Sequence, residues 1–385
     1  MTAMNNEQGL QQSIERHEGY VRSDGDNLML RMTLGNLYHS AGRFGDAIAS
    51  YEHCLRLSPG HGPARSRIAS VMISQRRFAE AEELLSELID GGDSDPVLLH
   101  NRGIAIYHQE RWDDASMCFM DAAARGLQHS ANFAYLARSL HHLGSMADAI
   151  DACRGWVALA NDSESKSYLA LLYLDTGDVD NAKPLAREVL AKHPDDINAN
   201  VVNGIVSVEM QEIAAARRHF ETALRHDKTN GRAWLGLGLV HLHEQEHAKA
   251  IEALENSIRI HPKNLGAIVT LGWAKLMTKD LTGAQETFEH ALRVDRTFGE
   301  SHGGLAAALA LQREFDKAET EIKLARRLNP HGFGAEFAHA AVLAEKGERQ
   351  SAVDLLTDLL KRAPREGMLP LIEQLRVHAI RKRAH

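Results

Sequence analysis

The stretch GRAWLGLGLVHLHEQEHAKAIEALENSIRIHPKN, residues 231–264, decides the fold. Trp234, Leu237, Gly238 and His241 lie at i, i+3, i+4 and i+7 and make one stripe of a helix. After a break near Gln245, a second stripe runs through Ala250, Leu254, Ser257 and Ile258. Small residues at Gly238 and Ala250 let the two helix backbones come close. Pro262, lacking an N–H, ends the second helix. The segment is a helix-turn-helix hairpin with one apolar side that it cannot bury alone.

The same register runs outward in both directions. Alanine recurs at Ala47, Ala81, Ala115, Ala149, Ala182, Ala216, Ala250, Ala284, Ala318 and Ala352, each 34 residues after the last except for one interval of 33. A period of that size means hairpins stacked on their neighbours in a continuous array. The pattern resembles the tetratricopeptide repeat, with an aromatic at position 4, Leu-Gly at 7 and 8, Tyr at 11, Ala at 20, Phe at 24, Ala at 27 and Pro at 32. Leu34, Gly35, Tyr38, Ala47, Tyr51 and Pro59 carry it in a first unit at 28–61, and the units at 62–95 and 96–129 follow, the latter with Gly103, Ala115 and Phe119. A fourth, one residue short, holds Phe133, Leu136 and Gly144. Tyr173, Gly177, Gly204, Phe220, Leu271, Gly272, Phe288 and Pro330 continue it, and the tenth unit ends at Pro364. That tenth unit departs from the pattern at Glu336 and His339, where a terminal repeat tolerates polar groups.

The resemblance implies an all-α, right-handed superhelical solenoid of ten units over 28–366. Residues 1–27 are expected as a partly disordered segment or a short capping helix, in which Ile14, Tyr20 and Val21 share a side. Residues 367–385 are expected as a capping helix with a basic end at Arg381, Lys382 and Arg383. Hairpin turns are expected near Gly42, Gly144, Gly177 and Gly347.

Composition narrows the function. The chain is 44% hydrophobic and 5% aromatic, enough for a long apolar seam. Its start has neither basic nor apolar leader character, and no apolar run approaches a bilayer span. Three cysteines at inward positions, Cys54, Cys118 and Cys153, suit a reducing cytoplasm, and arginine outnumbering lysine suggests a bacterial source. Residues 1–200 sum to −10 and 201–385 to +2, together the overall −8. Without a broad basic face, nucleic acid is not the expected partner.

Chemical motifs are few. His243-Glu244-Gln245-Glu246-His247 fits H-E-x-x-H, which in zinc peptidases puts two imidazoles on one helical face. Here the register puts it across the turn between two helices, so zinc is not expected. No phosphate loop or nucleophile elbow occurs. Neither a catalytic residue, a cofactor nor a metal is assigned.

What the resemblance offers is a concave groove lined by the first helix of each unit. In the first five units those positions bring Asn36, Arg67, Asn101, His108, Tyr135, Arg138, His142 and Tyr168, a polar and aromatic set that also suits an ordinary solvated face. In the last five they bring Ile205, Leu239, Trp273, Leu276 and Leu311 among other apolar residues. Exposed, such a patch marks a binding site; packed more tightly, or covered by the N-terminal segment, it does not. A carboxylate clamp for chaperone tails finds only Asn36 in place, with Met32, Arg67, Val97 and Asn101 at its other positions.

The expected function is a non-enzymatic scaffold that holds a peptide or helix in this groove, homo-oligomerisation remaining open. A ligand-sensing regulator and an accessory subunit acting through the convex face are the alternatives. On this reading Trp273 anchors a partner, so that Trp273→Ala weakens binding tenfold and spares stability, while Trp234→Ala does the reverse.

Overall fold

The computed structural model describes residues 2–330 and 332–361, and every regular element among them is an α-helix. The chain divides between Thr176 and Gly177 into two compact units. The first holds α1 (Thr2–Ser23), α2 (Leu28–Ser40), α3 (Phe44–Leu57), α4 (Gly62–Ser74), α5 (Phe78–Asp90), α6 (Pro96–Tyr107), α7 (Trp112–Ala124), α8 (Ser130–His142), α9 (Met146–Ala160) and α10 (Ser163–Asp175). The second holds α11 (Val179–Lys192), α12 (Ile197–Glu209), α13 (Ile213–His226), α14 (Gly231–His243), α15 (His247–Ile260), α16 (Leu265–Met277), α17 (Leu281–Val294), α18 (Gly299–Leu311), α19 (Phe315–Leu328), α20 (Phe333–Glu345) and α21 (Arg349–Lys361). The expected helix at 367–385 lies outside the described residues.

Helices α2 to α21 make ten two-helix repeats, an α-solenoid, and the even-numbered ones begin 34 residues apart. The single interval of 33 follows α9. There Asn161 takes a left-handed cap (φ 48, ψ 33) and Asp162 at once accepts from Ser165 N at 2.8 Å, so two residues do what four or five do elsewhere. Asn27, Asp95, Asp196, Asn230 and Asn264 cap other first helices in the same way, each satisfying amide donors that the helix start leaves unpaired.

Every hairpin turns through one residue of positive φ. Gly42, Gly144, Gly177 and Gly347 do so as expected, with φ between 72 and 92, but Arg76, Glu110, Gln211, Gln245, Lys279 and Arg313 occupy the equivalent place at φ 61 to 66. A side chain costs about 1 kcal/mol in that region, so the stacked helices impose the turn.

Between the helices of a repeat, a bare glycine faces a ring. A methyl on Gly35 would come within 2.5 Å of Tyr51, and one on Gly103, Gly204 or Gly272 within 2.6 Å of Phe119, Phe220 or Phe288. All four rings are fully buried. Phe220 and Phe288 also press on Gly236 and Gly304 of the following repeat.

The N-terminal segment is a 22-residue helix, longer than expected. Ile14 and Val21 enter the core of the first repeat with Leu34 and Tyr51, while Tyr20 is 49% exposed. Glu18 accepts from Tyr38 Oη at 2.8 Å and pairs with Arg43 at 3.6 Å. The apolar side of α1 is thus used within its own unit.

Candidate functional site

In the first unit, contacts between neighbouring first helices join the polar candidates into one surface. His39 Nε2 meets Ser74 Oγ at 2.8 Å, and Asn101 Nδ2 donates to Ser70 Oγ at 3.3 Å. Tyr107 and Tyr135 stand edge to face at 5.1 Å, and His141 reaches Tyr168 Oη at 2.9 Å and Asp175 at 3.0 Å. This carries the surface from α2 through α4, α6 and α8 to α10. Asn36 Oδ1 accepts from Tyr51 Oη at 2.8 Å. Arg138 pairs with Glu164 at 2.7 Å and lies over Trp156 at 4.8 Å.

Three imidazoles on this surface are biased toward the neutral form. Burial holds His39, His108 and His142 below their usual range, with Arg67 adding to the effect at His39 and Arg76 at His108. Arg67 is exposed and, among the described residues, makes neither hydrogen bond nor ion pair. The surface is therefore a row of side-chain donors and rings that includes one free guanidinium, Arg67.

Sequence reading missed the rings beneath the histidines. His108 stacks on Phe78 at 4.7 Å and His142 on Trp112 at 4.2 Å, nearly parallel in both. Phe78 and Trp112 open α5 and α7, so each imidazole at the end of a first helix rests on the ring that starts the second helix of the preceding repeat. The signal was present: Phe44, Phe78 and Trp112 recur at the 34-residue period.

The apolar set of the second unit corrects the expectation. Trp273 is 4% exposed and Leu276 9%, both inside the core. Trp273 meets Phe288, Phe333 and Phe337 edge-on at 5.4 to 5.6 Å. Leu311 packs against the same cluster, while Ile205 and Leu239 are half-buried. The physical reason is that α18 is lined by Gly303, Gly304, Ala306, Ala307 and Ala310, which let its neighbours close in until the expected patch becomes interior. Trp234 is the more exposed indole, half-buried with Nε1 donating to Lys228 O at 2.9 Å. The roles expected of the two tryptophans are reversed in their burial.

The H-E-x-x-H match divides as expected: His243 ends α14, Gln245 is the left-handed turn and His247 opens α15. A different set, His241, Glu244 and Glu246, brings its ligand atoms within 4.8 Å of one another. Its charge is already met, since Arg217 pairs with both carboxylates, Lys249 reaches Glu246 at 2.8 Å, and His241 Nδ1 does so at 2.7 Å. The hydrogen bonds from Lys249 and His241 hold the Glu246 carboxyl down at about 2.

Comparison with known proteins places these surfaces on a familiar scaffold. No curated protein matches the sequence significantly. Human IFIT1 in a dimer with m7Gppp-AAAA superposes with a TM-score of 0.52 at 15% identity, covering 87% of this chain and 90% of that one. A monomeric IFIT1 mutant with Gppp-AAAA gives 0.54 at 16%, covering 87% and 86%. Yeast Tom70 aligns over 99% of this chain and 94% of its own at 16% identity, with a TM-score of 0.39. At such identities the likeness is one of fold. Sequence models described as tetratricopeptide repeat match 21–99 and 241–298, 100–164 and 202–264, and 166–196. With those matches over most of its length and ten hairpins in register, the chain belongs to the tetratricopeptide repeat family.

Proposed function

We propose that this protein is a non-enzymatic interaction scaffold, and that its first unit binds an extended acidic peptide segment of a partner protein across α2, α4, α6 and α8. The observation that carries this reading is Arg67, an exposed guanidinium with no carboxylate of its own, close enough to His39 to act on its charge and on the same row of first helices as Asn101, His108 and Tyr135. A carboxylate on the peptide completes a charge-assisted pair with Arg67. The rings supply flat apolar area that loses little entropy on binding. Arg138, already paired with Glu164, orients Tyr168 from 5.5 Å and does not act as a free anchor.

The three free, buried cysteines suit a reducing compartment, so the cytoplasm is the setting we propose. No described helix is long and apolar enough to cross a membrane.

Selection from a random peptide display library against the full chain tests the reading. Enriched peptides should carry acidic residues and lose at least tenfold in affinity on Arg67→Glu, with helicity unchanged. Peptides that are apolar, or that bind Arg67→Glu equally well, would refute it. Arg67-dependent binding of an RNA oligonucleotide in place of acidic peptides would move the site to a different class of partner.

A further inference from the structure

The last repeat keeps the register of the array, but its first helix, α20, packs unusually close to α18. The first-helix glycines Gly204 and Gly272 each face the ring of their own second helix. Gly303, three residues before the equivalent place in α18, meets the backbone of α20: a methyl there would lie 2.8 Å from Gly334 Cα and from Ala335 N, and one on Gly334 would lie 2.8 Å from Gly303 C. At this backbone crossing α20 extends to Trp273 of α16, two repeats away, and presents Phe333 and Phe337 to it at 5.4 and 5.6 Å. The two phenyl rings stack on each other at 5.8 Å, one helical turn apart.

The apolar fit has a polar defect. Trp273 is almost wholly buried, yet its Nε1 has no acceptor among the described residues. A buried donor left unpaired is a standing cost to this packing. Polar contacts also hold α20 at its edge. Arg326 of α19 holds Glu336 with two bonds of 2.9 Å and reaches His339 Nδ1 at 2.8 Å, and Glu300 accepts from Gly334 N at 3.3 Å and Asn329 Nδ2 at 3.1 Å. The N-cap of α20 is Gly332, which has no side chain to cap with, so Glu300 does this from the neighbouring repeat.

We propose that the face built by α16 and α18 is a docking site for an amphipathic helix of a partner, with two aromatic residues one turn apart and a small residue directly after the first, and that α20 fills it in cis. The pattern is that of α20 itself, Phe333-Gly334-Ala335-Glu336-Phe337, the sequence already seated there. A partner helix of the same pattern that adds an oxygen acceptor near Trp273 Nε1 gains a hydrogen bond that α20 lacks. Exchange breaks the edge contacts of Arg326 and Glu300, the tenth repeat's own packing and the apolar contacts of α20 with α16 and α18, the last of which the partner helix remakes.

The test uses the full chain and a fluorescein-labelled peptide of residues 329–346, read by anisotropy. Arg326→Ala with Glu300→Gln loosens the edge and leaves the apolar face intact. This variant should bind the peptide at least tenfold more tightly than the wild type, and adding Trp273→Phe, or using a peptide with both phenylalanines replaced by alanine, should remove the gain. A folded edge variant that binds no more tightly overturns the proposal. Should that variant lose its fold, hydrogen exchange on the wild type decides. Amides of α20 exchanging at least tenfold faster than those of α18 support cis occupancy that opens, whereas equal protection makes α20 a fixed part of the core and overturns it.

Discussion

The first helices of the two units occupy the same places in the same repeat, yet they meet their surroundings in opposite ways. In the first unit they carry Asn, Arg, His and Tyr, whose side chains bond to one another across neighbouring helices and remain partly in water. In the second they carry Val, Leu, Ala and Gly, and the helices close until even a tryptophan is interior. One scaffold thus yields a binding surface where side chains are long and polar, and additional core where they are short. All seven tyrosines fall in the first unit, and the Trp273 cluster with its phenylalanines falls in the second.

The largest effect that this contrast predicts is at Trp273. Trp273→Ala should cost about 3–5 kcal/mol through the cavity it leaves, visible as a strong drop in the melting transition. A variant that melts like the wild type would restore the open groove of the sequence reading. Trp234→Ala, at the half-buried indole, should cost clearly less.

Next comes Gly303→Ala. Its methyl meets the backbone of α20, which has no side chain to swing aside, and a loss of about 1–3 kcal/mol is expected. A glycine-to-alanine change at Gly45 of α3 in the first unit, where nothing lies within 4 Å, should leave the denaturation midpoint nearly unmoved.

Alkaline pH should separate the units. Burial, and for Tyr38 the bond to Glu18, push Tyr38 and Tyr51 up to about 12 in the folded chain. A phenol whose folded value is raised stabilises fully below its unfolded value of about 10 and loses that contribution as pH climbs toward 12. The first unit should therefore loosen between those limits, with tyrosinate absorbance rising in step, while the tryptophan fluorescence of the second persists. Simultaneous loss in both would show that the division between them does not govern stability.

The smallest effect tests the turns. Gln245→Gly relieves a left-handed side chain and should stabilise by about 0.5 kcal/mol; Gly42→Ala, in the same position of the first repeat, should destabilise by about 1 kcal/mol.

The sequence carried the fold almost residue for residue, because the 34-residue register is a local property: starts, turns and glycine-ring contacts all recur within it. The four turn glycines were readable, but their six non-glycine equivalents were not, since only stacking forces those residues left-handed. The polar surface was readable for the same reason as the fold, its residues being named by position. Trp273 was misread because position predicts direction and not spacing. The run Gly303-Gly304-Leu305-Ala306-Ala307-Ala308 was in plain view, yet how far its small side chains draw the helices together is a tertiary fact. The rings under His108 and His142 were missed for a simpler cause: position 17 lies outside the family signature used to read the units.

Phe220 and Phe288 each touch a glycine of their own repeat and one of the next. A ring held from both sides cannot be satisfied by one hairpin folding alone, so the repeats containing α12 to α15 should form as one cooperative block, and those containing α16 to α19 as another. Deleting a single hairpin from such a block strands a ring in water, whereas removing a whole block carries ring and glycines away together. The second unit should consequently tolerate the loss of two such repeats together better than the loss of one.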